Sequence, residues 1–183
     1  MSRRISVTRR VNAGLAMLAA GAVLAGCGAA STASSLPAPS VAAGTTGRPV
    51  PAVGIALRTI DGATVHVPSS KPTVLAYIAM GCADCAAAAK AAGQASHTLG
   101  STATVLAVDL DPGAPASEVN AFLDYVGAKG LPVVVDDTHF DLSRKYAVTA
   151  LSSVIVIDPA GKVTYRAVNP SADAITAAVA QSS

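Results

Sequence analysis

The sequence predicts an α/β sandwich built around a mixed β-sheet. Short apolar runs that are typical of buried strands recur at 73–79, 102–110, 131–137 and 152–158. Helical segments separate these runs, and a hairpin and a helix follow the last of them. Strands that alternate with helices favour parallel pairing, whereas the closing hairpin adds an antiparallel strand, so the sheet is expected to be mixed.

The first half of the folded region contains a hairpin, a central strand and a long helix. Residues 54–67 alternate weakly around Asp61-Gly62, a dipeptide that favours a tight hairpin turn. Residues 73–79 form a continuous apolar run and are predicted to be a buried central strand. The alanine-rich segment 82–99 follows directly, and its composition predicts a helix.

The second half begins with the strand at 102–110 and continues with a helix at 114–128. In that helix the apolar residues recur at i, i+3, i+4 and i+7: Val119, Phe122, Leu123 and Val126. The remaining elements are a short strand, a short helix, a hairpin around the turn Asp158–Gly161, and a closing helix with Ser171 as its N-cap. They lie at 131–137, 140–148, 152–158, 162–168 and 171–183.

The N-terminus has the pattern of a secretory signal. The first ten residues carry two arginine pairs, and the apolar run that follows is too short for a spanning helix. The run ends at Leu24-Ala25-Gly26-Cys27, which resembles the lipobox of bacterial lipoproteins. That resemblance implies a signal peptide at 1–26 and a lipid on Cys27. An ordinary signal peptide with an incidental cysteine and an uncleaved anchor are the alternatives.

Small and polar residues dominate the next segment, 27–50, which is expected to be a disordered tether. The folded domain is then 51–183. Four of the 13 basic residues lie in the first ten positions, which leaves nine basic against 11 acidic residues in the rest. A basic patch is therefore not expected, and this composition argues against a nucleic-acid partner.

The two remaining cysteines, Cys82 and Cys85, form a C-x-x-C motif between a predicted strand and a predicted helix. The compartment of an exported protein permits disulfides to form, so a redox-active pair is the favoured interpretation. A structural disulfide closing so small a loop would stabilise little. A zinc site would need two further ligands, and the three histidines of the chain are not paired at ligand spacing.

A strand that leads into C-x-x-C and then a helix resembles the thioredoxin-like superfamily. The leading hairpin, the segment at 104–126 and the ending "YAVTALSSVIVIDPAGKV" resemble its TlpA-like branch of membrane-anchored redoxins, relatives of the AhpC/TSA proteins. The resemblance implies a three-layer α/β/α sandwich with a mixed central sheet, preceded by an N-terminal β-hairpin. It also implies thiol–disulfide oxidoreductase activity with no cofactor beyond the cysteine pair.

The sequence departs from this family at three positions. Gly81 precedes the first cysteine where the family usually has Trp. Ala76 occupies the position, six residues before Cys82, at which the family often buries an acid. The family's cis-proline falls on Ser152, after Leu151. A cis bond before Ser would cost about 2.5–4 kcal/mol, so either the bond is trans or the fold supports a strained cis bond.

The chemistry assigns different roles to the two sulfurs. Cys82 at the start of the helix is expected to be the nucleophile, since unpaired amides there favour a thiolate. Cys85, one turn further, is expected to resolve the mixed disulfide. The carboxylate of Asp84, between the two cysteines, disfavours a second negative charge on Cys82. It should therefore stabilise the disulfide relative to the dithiol, which predicts a fairly reducing couple. Stabilising the helix start is the alternative role for Asp84.

Other chemistries fit the sequence less well than disulfide exchange does. Copper(I) suits two thiolates, and Cys82 with Cys85 is the alternative copper site. Sco-type copper chaperones, however, separate their cysteines by three residues and have a histidine near the position of Ala150. The peroxiredoxin motif matches neither cysteine. The acids at 109–111 and 136–137 lack the pattern of a calcium loop and are expected to be solvated.

Together these inferences predict a lipid-anchored protein on the extracytoplasmic face of the cell membrane. Its predicted function is thiol–disulfide exchange on exported proteins through Cys82 and Cys85, in a site shaped by Gly81, Asp84 and the Leu151-Ser152 segment. The alternative is a protein of the same fold that binds copper(I) or a protein partner without turnover.

Overall fold

The computed structural model describes residues 54–182. The strands are β1 (Ile55–Arg58), β2 (Thr64–Val67), β3 (Thr73–Ile78), β4 (Thr104–Asp109), β5 (Val133–Val135), β6 (Ser153–Ile157) and β7 (Val163–Val168). The helices are α1 (Cys85–Leu99), α2 (Ala116–Val126), α3 (Asp141–Lys145) and α4 (Ala172–Ala180), with a 3₁₀ turn at Gly100–Thr102. None of these helices is long and apolar enough to cross a bilayer.

The central sheet has five strands in the order β5-β4-β3-β6-β7. Strand β3 is parallel to β4, and β4 is parallel to β5. Strand β3 is antiparallel to β6, and β6 is antiparallel to β7, so the sheet is mixed as predicted. Every residue of β3 is buried, in agreement with its continuous apolar sequence. The β1–β2 hairpin forms a separate antiparallel pair, as expected from Asp61-Gly62.

Alternate side chains of β3 point to two different cores, because side chains in a strand alternate between faces. Ala76 and Ile78 pack with α1, α2 and α4 on one face. Leu75 and Tyr77 pack on the other face with residues of β2 and α3. The result is the predicted three-layer α/β/α sandwich with the hairpin at its side.

All four helices are shorter than predicted, and the differences in α1 and α3 have a clear backbone cause. Helix α1 begins at Cys85, whereas the alanine-rich pattern predicted a start at Cys82. Gly81 has a φ of +78°, and a turn occupies the next residues, so the helix starts three residues later. Helix α3 is shorter than predicted, because Phe140 and Ala147 adopt left-handed conformations at its two ends.

Candidate redox site

The cysteine pair lies where the central strand β3 gives way to helix α1. Cys82 and Cys85 form a disulfide with Cα atoms 5.3 Å apart. The turn between β3 and α1 requires the left-handed backbone of Gly81, and a Cβ there would meet no atom within 4 Å. Glycine is therefore needed at position 81 for its backbone conformation and not because a side chain would be crowded. The space that a larger side chain would fill is open.

The two sulfurs have different surroundings. Cys82 is half-buried in the turn, whereas Cys85 is completely buried and packs against the sheet with the alanines of α1. The amide of Cys85 donates a hydrogen bond to Cys82 Sγ at 3.2 Å. An amide at the helix start thus points at Cys82, as predicted, although Cys82 itself precedes the helix. Only Cys82 is accessible to a large substrate.

Ser152 is the third side chain of the site. Its Oγ donates to Cys85 Sγ at 3.6 Å and lies 3.8 Å from Cys82 Sγ. The bond between Leu151 and Ser152 is trans, which settles the two alternatives that the sequence left open. In place of a cis bond, Ser152 adopts a left-handed conformation with a φ of +59°. The structure therefore brings together three of the predicted site residues: Cys82, Cys85 and Ser152.

The other predicted site residues lie at the rim. Asp84 is exposed and its side chain makes no capping hydrogen bond to α1. Leu151 is 44% exposed and borders an apolar groove of about 360 Å³. The walls of this groove also include Leu110, Phe140 and Val148. This exposed apolar surface reaches Leu151, the residue that directly precedes Ser152 in the chain.

Two acids that were predicted to be solvated are buried, so that prediction is wrong for Asp109 and Asp136. Asp136 accepts hydrogen bonds from Leu142 N, Ser143 N and Ser143 Oγ, which ties β5 to the start of α3. Asp109 ends β4 opposite Ile78 of β3. Since Asp109 closes an apolar run in a buried strand, its position in that run was the signal that it would be buried.

Asp109 is the one carboxyl group of the described residues with an oxygen that is buried and unpartnered. Its Oδ1 accepts a hydrogen bond from Asp111 N at 3.1 Å, whereas Oδ2 has no partner. Burial is the main cause that raises the pKa of Asp109 above its ordinary value of 3.8; the Asp111 amide acts in the opposite direction. Asp109 alternates with Val105 and Ala107, which places it on the sheet face that carries α1.

Within residues 54–182, no group of three or more His, Cys, Asp or Glu side chains is arranged to hold a metal ion. His66, His97 and His139 are all exposed. The reduced cysteines would therefore supply two sulfur ligands without a nearby imidazole or carboxylate completing the set. That donor set suits a soft ion of low coordination number better than zinc.

Comparison with known proteins supports the fold. No protein-family model matches the chain. The mercury resistance operon ORF3 protein of Streptomyces lividans is 45% identical over 119 residues, which are 63% of this chain and 62% of that relative. The chain thus spans less than two thirds of the length of the curated relative that it matches.

Solved structures match almost over their whole length. MTB dsbF, in mixed oxidized and reduced forms, has 24% identity and a TM-score of 0.59, with 72% of this chain and 96% of that chain covered. A thiol:disulfide interchange protein from Chlorobium tepidum has 20% identity and a TM-score of 0.59, covering 75% and 99%. The exposed lipoprotein thioredoxin of Streptococcus pneumoniae has 25% identity and a TM-score of 0.56, covering 70% and 98%.

These matches define the class: the chain has a thioredoxin-like fold, and its structural neighbours include thiol:disulfide proteins. In this chain a disulfide-bonded C-x-x-C pair lies at the junction of β3 and α1. The fold and the cysteine pair were both predicted from the sequence.

Proposed function

We propose that the protein is a TlpA-like thiol–disulfide oxidoreductase that exchanges electrons with exported proteins. The observation that carries this proposal is the asymmetric disulfide, in which Cys82 is half-buried and Cys85 is completely buried. Exchange through a mixed disulfide needs one sulfur that a substrate can reach and a second that is protected until it resolves the intermediate. The pair at the start of α1 meets both requirements.

In the reducing direction, Cys82 as a thiolate attacks one sulfur of a substrate disulfide. A Cys82–substrate bond forms, and the other substrate sulfur leaves with the electron pair. Cys85 then attacks Cys82 Sγ, which closes the Cys82–Cys85 disulfide and releases the second substrate thiolate. Two electrons pass to the substrate, and the same steps in reverse would oxidise a substrate dithiol.

The groove beside Leu151 supports a polypeptide substrate rather than a small thiol. It is apolar, and Phe140 and Leu151 are both more than two-fifths exposed on its edge. An extended segment on either side of a substrate cysteine would bury these side chains while its sulfur meets Cys82. Exported proteins with disulfides are the substrate class that fits this surface and the proposed location.

The proposed location rests on the N-terminal sequence, which lies outside the described residues. Residues 1–26 would be a lipoprotein signal peptide, Cys27 the lipidated residue, and 27–50 a tether to the domain at 51–183. The similarity to an exposed lipoprotein thioredoxin supports this arrangement. The domain would then act at the extracytoplasmic face of the cell membrane.

Insulin is a suitable disulfide probe for testing the proposed reaction. The full chain with dithiothreitol should accelerate insulin reduction, and both Cys82→Ser and Cys85→Ser should abolish that acceleration. When each variant is reduced, freed of dithiothreitol and then mixed with insulin, the two should differ in one respect: Cys85→Ser accumulates a disulfide-linked adduct with insulin, whereas Cys82→Ser does not. Acceleration that survives in either variant would contradict the proposed roles, and a Cys82→Ser adduct would reverse them.

A soft-metal function is the second candidate, and the name of the Streptomyces lividans relative favours it. When reduced, Cys82 and Cys85 present two thiolates that suit copper(I) or mercury(II). In this case the protein binds the ion, or docks on a protein partner, without turning over disulfides. The exposed histidines would not contribute.

Anaerobic titration of the reduced full chain with copper(I), and separately with mercury(II), distinguishes the two candidates. A binding protein should take up one ion per chain against a competing thiol and lose that ion in both single-cysteine variants. It should also fail to accelerate insulin reduction. An oxidoreductase should show the acceleration and lose the metal to the competing thiol.

A further inference from the structure

The hydroxyl group of Ser152 lies between the two sulfurs of the cysteine pair. Its distances are 3.6 Å to Cys85 Sγ and 3.8 Å to Cys82 Sγ. Ser152 is 1% exposed, so its hydroxyl has little access to water. We propose that Ser152 is a catalytic residue whose hydroxyl stabilises the negative charge on Cys85 Sγ during disulfide exchange. This inference rests on the proposed oxidoreductase function.

The hydrogen bonds of the site divide between the two sulfurs. Cys82 Sγ already accepts the amide of Cys85 at 3.2 Å. The hydroxyl of Ser152 donates to Cys85 Sγ, and no other donor to this sulfur is present among residues 54–182. Because Cys85 is completely buried, water cannot replace that donor. A charge on Cys85 Sγ therefore depends on Ser152 more than a charge on Cys82 Sγ does.

The backbone holds Ser152 in place on both sides. Its amide donates to the carbonyl of Tyr77 at 3.1 Å, and its carbonyl accepts from the amide of Asn169 at 3.0 Å. These bonds offset the cost of a left-handed φ of +59°, a conformation that residues with a side chain rarely adopt. A strained conformation retained beside reacting atoms is typical of functional sites. The hydroxyl is thus fixed before the reaction begins.

The step that benefits is the attack of Cys85 on the mixed disulfide. A bond forms between Cys85 Sγ and Cys82 Sγ, the bond between Cys82 Sγ and the substrate sulfur breaks, and the electron pair leaves on the substrate sulfur. Cys85 must be a thiolate to attack, and in the reverse step it is the leaving thiolate. A hydrogen bond to a charged group is stronger than one to a neutral group. Ser152 therefore favours the Cys85 thiolate both when it attacks and when it leaves.

The disulfide reagent 5,5′-dithiobis(2-nitrobenzoic acid) separates this step from the first one. The full chain has a third cysteine that would also react, so every chain in this experiment, including its wild-type reference, carries Cys27→Ser. The reduced reference chain should release one nitrothiolate when Cys82 attacks and a second when Cys85 resolves the adduct. In stopped-flow absorbance, Ser152→Ala should slow the second release about tenfold, equivalent to about 1.4 kcal/mol, and leave the first nearly unchanged. Its second release should also require a higher pH than that of the wild type, because Cys85 ionises less readily.

Two control variants distinguish the hydroxyl from its surroundings. Ser152→Gly also lacks the hydroxyl but accepts the left-handed backbone without strain, so it should match Ser152→Ala. Ser153→Ala removes a neighbouring buried hydroxyl that donates to Ala150 O, and it should behave like the wild type. Wild-type rates and pH dependence in both Ser152 variants would overturn the role of Ser152 but not the proposed function. A wild-type chain that releases no second nitrothiolate would overturn the proposed function with it.

Discussion

Asp109 and Asp136, at neighbouring strand ends, are both buried but differ in their hydrogen bonds. Asp136 follows β5 and accepts three hydrogen bonds from the start of α3. Asp109 ends β4 with one oxygen unpartnered. A buried charge without a full set of partners is costly, so Asp136 supports the fold whereas ionised Asp109 opposes it.

The raised pKa of Asp109 predicts a specific pH dependence of stability. Above pH 3.8 the unfolded chain releases the Asp109 proton while the folded chain keeps it, so this residue makes stability fall as pH rises toward the folded-state pKa. Asp109→Asn should remove that contribution. Urea unfolding of the full chain across this range should show a flatter profile for the variant, and a free energy of unfolding about 1 kcal/mol higher near pH 7.

Asp137→Asn is the matched control for this measurement, because it removes the same charge from an exposed position next to Asp136. It should retain the wild-type pH profile. If Asp109→Asn and wild type have the same slope, Asp109 is not the source of the pH dependence.

Ser152 lies where the resemblance to thioredoxin-like proteins predicted a cis-proline. The sequence showed that the cis-proline was absent, but it did not show what replaced its geometry. In the structure, Ser152 has a trans peptide bond, a left-handed backbone and a hydroxyl next to the sulfurs. Left-handed conformations of residues other than glycine depend on tertiary contacts, here with Tyr77 and Asn169, which local sequence does not reveal.

Helix α1 lies close to its neighbours because its buried positions are occupied by small residues. The buried residues of its central turns are Ala88, Ala89, Ala91, Ala92, Gly93 and Ala95. At Gly93, a Cβ atom would lie 2.7 Å from the Cα of Ala128 and 2.8 Å from its Cβ. That approach is closer than real Cβ contacts allow, so the glycine sets the distance between α1 and the loop after α2.

Replacing this glycine tests the packing of α1. Helix propensity alone predicts that Gly93→Ala raises the free energy of unfolding by about 1 kcal/mol. The contact with Ala128 predicts the opposite sign, a loss of about 1–3 kcal/mol from overpacking. Chemical denaturation of the oxidised full chain decides between them. A more stable Gly93→Ala variant would show that the loop after α2 moves away from the added Cβ with no net loss of stability.

The order of the strands explains why distant residues meet at the site. Strand β3 runs antiparallel to β6, so the end of β3 and the beginning of β6 lie at the same edge of the sheet. Cys82 follows β3, and Ser152 immediately precedes β6. The two residues are 70 positions apart in the chain, yet their side chains are 3.8 Å apart. The site is therefore a consequence of sheet topology.

The proposed attachment of the whole protein to the membrane depends on Cys27. Two or more acyl chains on this residue would hold the protein on the bilayer, since each buried CH₂ contributes about 0.8 kcal/mol. Cell fractionation should recover the full chain with the membranes, and Cys27→Ser should shift most of it to the aqueous fraction. Cys82→Ser should remain with the membranes. A Cys27→Ser variant that also stays there would favour an uncleaved anchor.

The sequence was sufficient to predict the strands, the order of the elements and the cysteine pair. Apolar periodicity reflects which residues must leave water, and C-x-x-C at a strand–helix junction is a local pattern. It did not predict the trans bond at Ser152, the burial of Asp109 or the late start of α1. The first two depend on contacts between residues far apart in the chain, which form only when β4 and β6 pair with β3 on either side. The start of α1 depends on the left-handed backbone of Gly81 and the turn after it, which apolar periodicity does not reveal.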